Sequence, residues 1–153
     1  MIDNIKNISK FKYLSGDYYI DSIYTGGYYI EIDPKKLFCK YNFKSSCYYV
    51  EIKWKINKNH FLKFLAEIKN IDVFSWDKKY IDKNVEDGGY WSITVKYNKK
   101  ETLEIIGDNA YPENFEIFHN ILEKYFPIIS MDREYRIKLE TNKRFLKASA
   151  NFT

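Results

Sequence analysis

Cysteine and histidine are scarce. Two of each occur, Cys39, Cys47, His60 and His119, and they are too few and too dispersed to close a structural zinc site. No apolar run reaches the ~18 residues that a membrane-crossing helix requires. The opening residues, Met1 to Asn7, lack the apolar core of a secretory signal, so the expected location is the cytoplasm. Also missing are a phosphate loop of the Gly-x4-Gly-Lys type, a Gly-x-Ser-x-Gly nucleophile elbow and a His-Glu-x-x-His metal motif. With these classes gone, the expectation is a protein without cofactor or metal that is not an enzyme.

What remains is a chain of 153 residues, 45% hydrophobic and 30% charged. That composition is globular rather than disordered, and the length suits one domain with a core that needs no staples. Aromatic residues reach 19%, with 15 Tyr and 11 Phe. Tyrosine-rich surfaces do bind partners. The chain is also crowded with Lys, Asn and Ile, which with Tyr and Phe are the residues of A/T-rich codons. A low-GC bacterial or phage genome accounts for most of the excess.

Residues 1–16 give a sparse pattern (Ile2, Ile5, Ile8, Phe11) that ends at the turn signal Ser15-Gly16-Asp17. Strands are expected at Tyr18–Tyr24, Tyr28–Ile32, Leu37–Phe43 and Cys47–Lys55, as an antiparallel meander of four. The last is the clearest. Tyr48, Val50, Ile52 and Trp54 share one face, while Tyr49, Glu51, Lys53 and Lys55 share the other, which meets water. A hairpin there could set Cys39 across from Cys47, but a reducing compartment favours two free thiols.

Phe61, Phe64, Leu65 and Ile68 recur at helical spacing after Asn57-Lys58-Asn59, where an asparagine can cap the first turn. Asp87-Gly88-Gly89 then turns the chain into Tyr90–Tyr97, with Trp91, Ile93, Val95 and Tyr97 inward. Asn98-Lys99-Lys100 closes a hairpin to Thr102–Ile106. A second helix is expected with Pro112 in its first turn and Glu113 complementing its dipole. Its buried stripe is Phe115, Phe118, Ile121, Leu122 and Tyr125, and Pro127 ends it. The predicted fold class is α+β, an antiparallel sheet (an N-terminal four-strand meander plus a C-terminal hairpin) packed against two amphipathic helices. A core domain spans 1–127, and a basic extension spans 128–153, packed on the same domain.

Trp76-x3-Tyr80, Asp87-Gly88-x2-Trp91 and Gly107-x-Asn109-Ala110-Tyr111-Pro112-x2-Phe115 together resemble a widespread family of small bacterial α+β proteins. The match covers roughly residues 18–126. The resemblance implies a fold and no reaction. The residues themselves suit architecture: Gly88 can take a positive φ, Trp91 opens a core-facing alternation, and Asn109 can bond the backbone ahead of Pro112.

Candidate chemistry is thin. Cys47 with His60, or Cys39 with His119, could meet as nucleophile and base, but nothing marks either thiol as activated. Asp82, Glu86 and Asp87 gather by a turn and read as a solvated acidic loop. The one charge asymmetry lies beyond residue 127. Six basic residues (Arg133, Arg136, Lys138, Lys143, Arg144, Lys147) face three acidic ones (Asp132, Glu134, Glu140), which is three of the chain's four net positive charges. With Tyr135 among them, this segment has the composition of a recognition surface, and Tyr28 and Tyr29 are the next candidates. The expected function is therefore non-catalytic binding of a macromolecule. A protein partner is the first expectation, covered as an inhibitor or immunity protein covers a toxin or a defence nuclease. Nucleic acid held by the basic segment is the alternative, a ribonucleoprotein included. An enzyme with a dispersed site is the third reading.

Overall fold

A computed structural model of the protein describes residues 2–16, 27–44, 49–84 and 89–126. The strands are β1 (Ile8–Gly16), β2 (Gly27–Asp33), β3 (Phe38–Lys44), β4 (Tyr49–Lys55), β5 (Lys79–Ile81), β6 (Tyr90–Tyr97) and β7 (Glu101–Asp108). Two helices join them, α1 (Lys58–Asn70) and α2 (Phe115–Tyr125). The fold is α+β. All seven strands form one sheet in the order β4-β3-β2-β1-β6-β7-β5, antiparallel throughout except where β5 runs parallel to β7.

The unpromising N-terminal stretch turns out to hold the middle of this sheet. β1 pairs with β2 on one side and with β6 on the other, so it joins the N-terminal strands to the C-terminal hairpin. The segment Tyr18–Tyr24, expected as the first strand, lies outside the described residues. So do Cys47, the Asp87-Gly88 pair, Pro127 and the whole segment 128–153.

Both helices lie on one face of the sheet. Phe11 meets Phe64 of α1 edge-on at 5.1 Å, and Tyr13 meets Phe118 of α2 at 5.4 Å. Phe64 also touches Tyr125, which locks the helices together. Alternation does the rest: Phe11, Tyr13, Ile30, Ile32, Cys39, Tyr41, Ile52, Trp54, Trp91, Ile93 and Val95 all face inward and are buried. Burying each large apolar side chain contributes roughly 1.5–3 kcal/mol. The α1 stripe is Phe61, Phe64, Leu65 and Ile68, as its spacing predicts, and the Asn57 side chain accepts from the Asn59 N–H at 2.7 Å.

The second helix begins later than expected. Pro112 stands before it, and its carbonyl accepts from the Phe115 N–H at 3.1 Å. Glu116, not Glu113, is the acid in the first turn. The Asn114 amide at the cap donates to the Ile71 carbonyl instead of capping its own helix, so α2 is tied to the end of α1. Phe115 and Ile121 are only half-buried, while Phe118, Leu122 and Tyr125 form the buried stripe. Asn109 takes a left-handed φ of 62°, and the Ala110 carbonyl beyond it accepts from the Trp91 indole at 3.0 Å.

Candidate functional site

Helices cover one face of the sheet, and no described helix covers the other. Residues that alternate with the core set line this second face: Lys10 and Lys12 on β1, Tyr29 and Glu31 on β2, Phe38, Lys40 and Asn42 on β3, Glu51, Lys53 and Lys55 on β4, and Lys96 on β6. Register aligns them into rows. Lys12 sits beside Glu31, Glu31 beside Lys40, and Lys40 beside Lys53. A second row runs from Leu14 through Tyr29 and Asn42 to Glu51.

Tyr29 organises the centre. It is nearly buried, and its hydroxyl accepts from the Asn42 amide at 2.9 Å. Lys12 Nζ stands 4.8 Å from the ring centroid and Lys40 Nζ 5.6 Å, so two cations from the strands flanking β2 lie against one ring. The Lys40 ammonium is held above the usual lysine range, first by its hydrogen bond to the Tyr29 hydroxyl and then by Glu51 and Glu31. Carboxylates alternate with the lysines: Lys10 lies 3.5 Å from Glu31, and Lys53 lies 3.2 Å from Glu51.

The face opens toward the β2–β3 turn. Leu14, Tyr29 and Asn42 are buried, whereas Phe38 is 44% exposed and Lys53 and Lys55 are exposed. A cleft of about 340 Å³ lies there, lined by Lys10, Glu31, Asp33, Lys36, Phe38, Lys40 and Lys53.

Tyr28 and Tyr29, expected to act together, are parted by the strand's own alternation. Tyr28 points to the helix side, where its hydroxyl lies 3.3 Å from His119 Nε2, and His119 Nδ1 lies 3.2 Å from Glu123. With Nδ1–H given to the carboxylate, Nε2 accepts from the phenol. The rings of Tyr13, Phe115 and His119 pack around one another, and burial pushes the Tyr13 phenol far up. These contacts tie β2 to α2. His60 serves the neighbouring end, with Nε2 2.9 Å from the Tyr125 carbonyl at the C-terminus of α2.

Of the cysteine chemistry weighed from sequence, only the Cys39 part falls on described residues, since Cys47 lies outside them. Register sets Trp54 opposite Cys39. Cys39 is a free, fully buried thiol, pushed well up by burial and secondarily by Glu31, which is the reverse of activation. Asp82 caps its own turn by accepting from the Asn84 N–H, and Glu86 and Asp87 lie outside the described residues. No group of three His, Cys, Asp or Glu able to hold a metal occurs among the described residues. No described helix is long and apolar enough to cross a membrane.

Arg133, Tyr135, Arg136, Lys138, Lys143, Arg144 and Lys147 also lie outside the described residues. The lysines of the face that no described helix covers were missed because four strands supply them, at positions as far apart as 10 and 96. The available signal was the outward set Glu51, Lys53 and Lys55, and the repeat of lysine at every second position in Lys10-Phe11-Lys12. The chain matches no protein-family model and no curated protein.

Proposed function

We propose that this protein is a non-catalytic binding protein that covers an acidic surface of a protein partner in the cytoplasm of a low-GC bacterium or its phage. An inhibitor or an immunity protein works in this way. The observation that carries the reading is the sheet face that no described helix covers, where lysines and carboxylates alternate in fixed register around Tyr29 and Phe38. Lysines outnumber carboxylates on this face, so a net acidic protein surface suits it, with basic groups placed to answer Glu31 and Glu51. A phosphate backbone carries only negative charge and would meet Glu31 and Glu51 unfavourably. The basic residues after Pro127 add charge of the same sign as the lysines.

The test is affinity capture from the native host, with and without nuclease, using the wild-type chain and the charge-reversed variant Lys53→Glu with Lys96→Glu. Both lysines are exposed, so the variant keeps its fold. Nuclease-resistant capture of a protein by the wild type, lost in the variant, is the expected result. Capture that nuclease abolishes, or that survives charge reversal, overturns the proposal.

A further inference from the structure

The cleft at the open end of the sheet face has a second peculiarity besides its charge. Leu37 and Phe38 are both exposed, at 40% and 44%, although both are large and apolar. Leu37 also holds a left-handed φ of 54°, a conformation that a branched side chain rarely adopts. The surrounding turn enforces it. Asp33 Oδ1 accepts from the Lys35 and Lys36 N–H groups at 3.0 and 3.2 Å, and the Leu37 carbonyl accepts from the Ile56 N–H at 2.9 Å. Strain held in place beside exposed apolar surface points to recognition.

We infer that this cleft takes an aromatic or large apolar side chain flanked by carboxylates, from an acidic segment of the protein partner. The inference rests on the protein-binding reading above. Phe38 supplies an apolar wall, and four lysines, Lys10, Lys36, Lys40 and Lys53, surround it against two carboxylates. Glu31 answers Lys10 at 3.5 Å, Glu51 at the edge of the cleft answers Lys53 at 3.2 Å, and Asp33 is engaged in its turn. Four lysines against these three carboxylates leave positive charge in excess around an apolar surface. The incoming segment answers it with aspartate or glutamate on either side of a ring that covers Phe38. Single-stranded nucleic acid fits less well. Tyr29 is too buried to stack a base, which leaves Phe38 as the one exposed ring among the described residues of this part of the face, too few to hold successive bases.

The probe is a synthetic peptide, Asp-Glu-Phe-Asp-Glu, added to the isotope-labelled full-length protein and followed by amide NMR shifts. Saturable shifts centred on Phe38, Lys40 and Lys53 are expected. The Asp-Glu-Ser-Asp-Glu peptide should bind about tenfold or more weakly, since burying a phenylalanine ring is worth at least that factor. Lys-Lys-Phe-Lys-Lys should not bind. Phe38→Ser, which alters a half-exposed ring, should keep the melting temperature and erase the preference for the phenylalanine peptide. Shifts centred elsewhere, equal binding of the serine peptide, or tighter binding of oligothymidylate overturns the inference. If the peptide fails while charge reversal at Lys53 and Lys96 still abolishes protein capture, the face stands as an interface and the anchor falls.

Discussion

The indole of Trp91 lies across the backbone of Gly107, its direct partner in the β6–β7 ladder. A methyl group at 107 would overlap the indole Nε1 and Cε2. The close approach lets the indole N–H reach the Ala110 carbonyl, so glycine here fixes the exit of β7 toward α2. Gly107→Ala should therefore destabilise the protein by about 1–3 kcal/mol through overpacking. Urea unfolding should show a lower midpoint at unchanged slope. An unchanged midpoint would mean that the indole tilts aside without penalty.

Trp91 and Phe115 should differ in what they contribute. Trp91 is fully buried and touches Trp76, Tyr80 and Tyr111, while Phe115 is half-buried at the start of its helix. Trp91→Ala should cost about 3–5 kcal/mol, and Phe115→Ala clearly less, because solvent fills part of the space it leaves. Equal losses in denaturant unfolding would contradict the packing described.

The Cys39 thiol should be inert in the native protein. Burial raises its pKa well above the ordinary value, so it stays protonated at neutral pH, and only the thiolate attacks a labelling reagent. Labelling at Cys39 should track global unfolding across a denaturant series and show no native-state phase. Mass spectrometry of the labelled peptide measures this, and modification without denaturant would speak against a sealed core.

Glu67 bridges the two helices, and it and Tyr125 titrate at opposite ends of the pH scale. Its carboxylate accepts from the Tyr125 phenol and lies 3.0 Å from Lys124 Nζ, both on α2. The hydrogen bond to Tyr125, then Lys124, hold the carboxyl below its usual range. The same hydrogen bond, then burial, push the Tyr125 phenol up to about 12. For Tyr125 the folded value is the raised one, so its contribution is complete below pH ~10, where an unfolded tyrosine titrates, and is lost as pH rises through about 12. For Glu67 the folded value is the lowered one, so its contribution is present above pH ~4.3 and disappears as pH falls through the folded value. Glu67→Gln should return the Tyr125 ring titration, followed by NMR, toward an ordinary tyrosine. It should also flatten the stability profile at both extremes. A Tyr125 titration indifferent to this substitution would remove the bridge.

The elements legible in the sequence are those whose burial is one-sided and uninterrupted. α1 and β6 show one apolar stripe or one strict alternation, because each has a single face on the core. β1 obscured its own pattern. Its register shifts between Ile8 and Lys10, and Leu14 is buried on the face opposite Tyr13, so the alternation fails at both ends. β5 spans only Lys79–Ile81, too short to carry a period, and its pairing with β7 is parallel and non-local. The lysine-bearing face of the sheet was illegible for another reason. Each lysine on it reads as ordinary solvent exposure, and only cross-strand register makes neighbours of Lys12, Lys40 and Lys53.

A centre strand whose two partners lie at very different distances along the chain also sets the order in which the sheet can be made. On the ribosome β1 can pair with β2 as soon as both have emerged, yet β6 follows only after β3, β4, α1 and β5. The hydrogen bond from Ser9 to the Lys96 carbonyl closes a separation of 87 residues. During that interval the nascent N-terminal strands carry an open edge, with Tyr13 still unsheltered by α2. Long-range closure of this kind slows folding and leaves such an edge exposed to mispairing with other chains. Lysines at positions 10 and 12 of that strand keep like chains apart while it waits, so the side chains proposed to meet an acidic partner also guard its assembly.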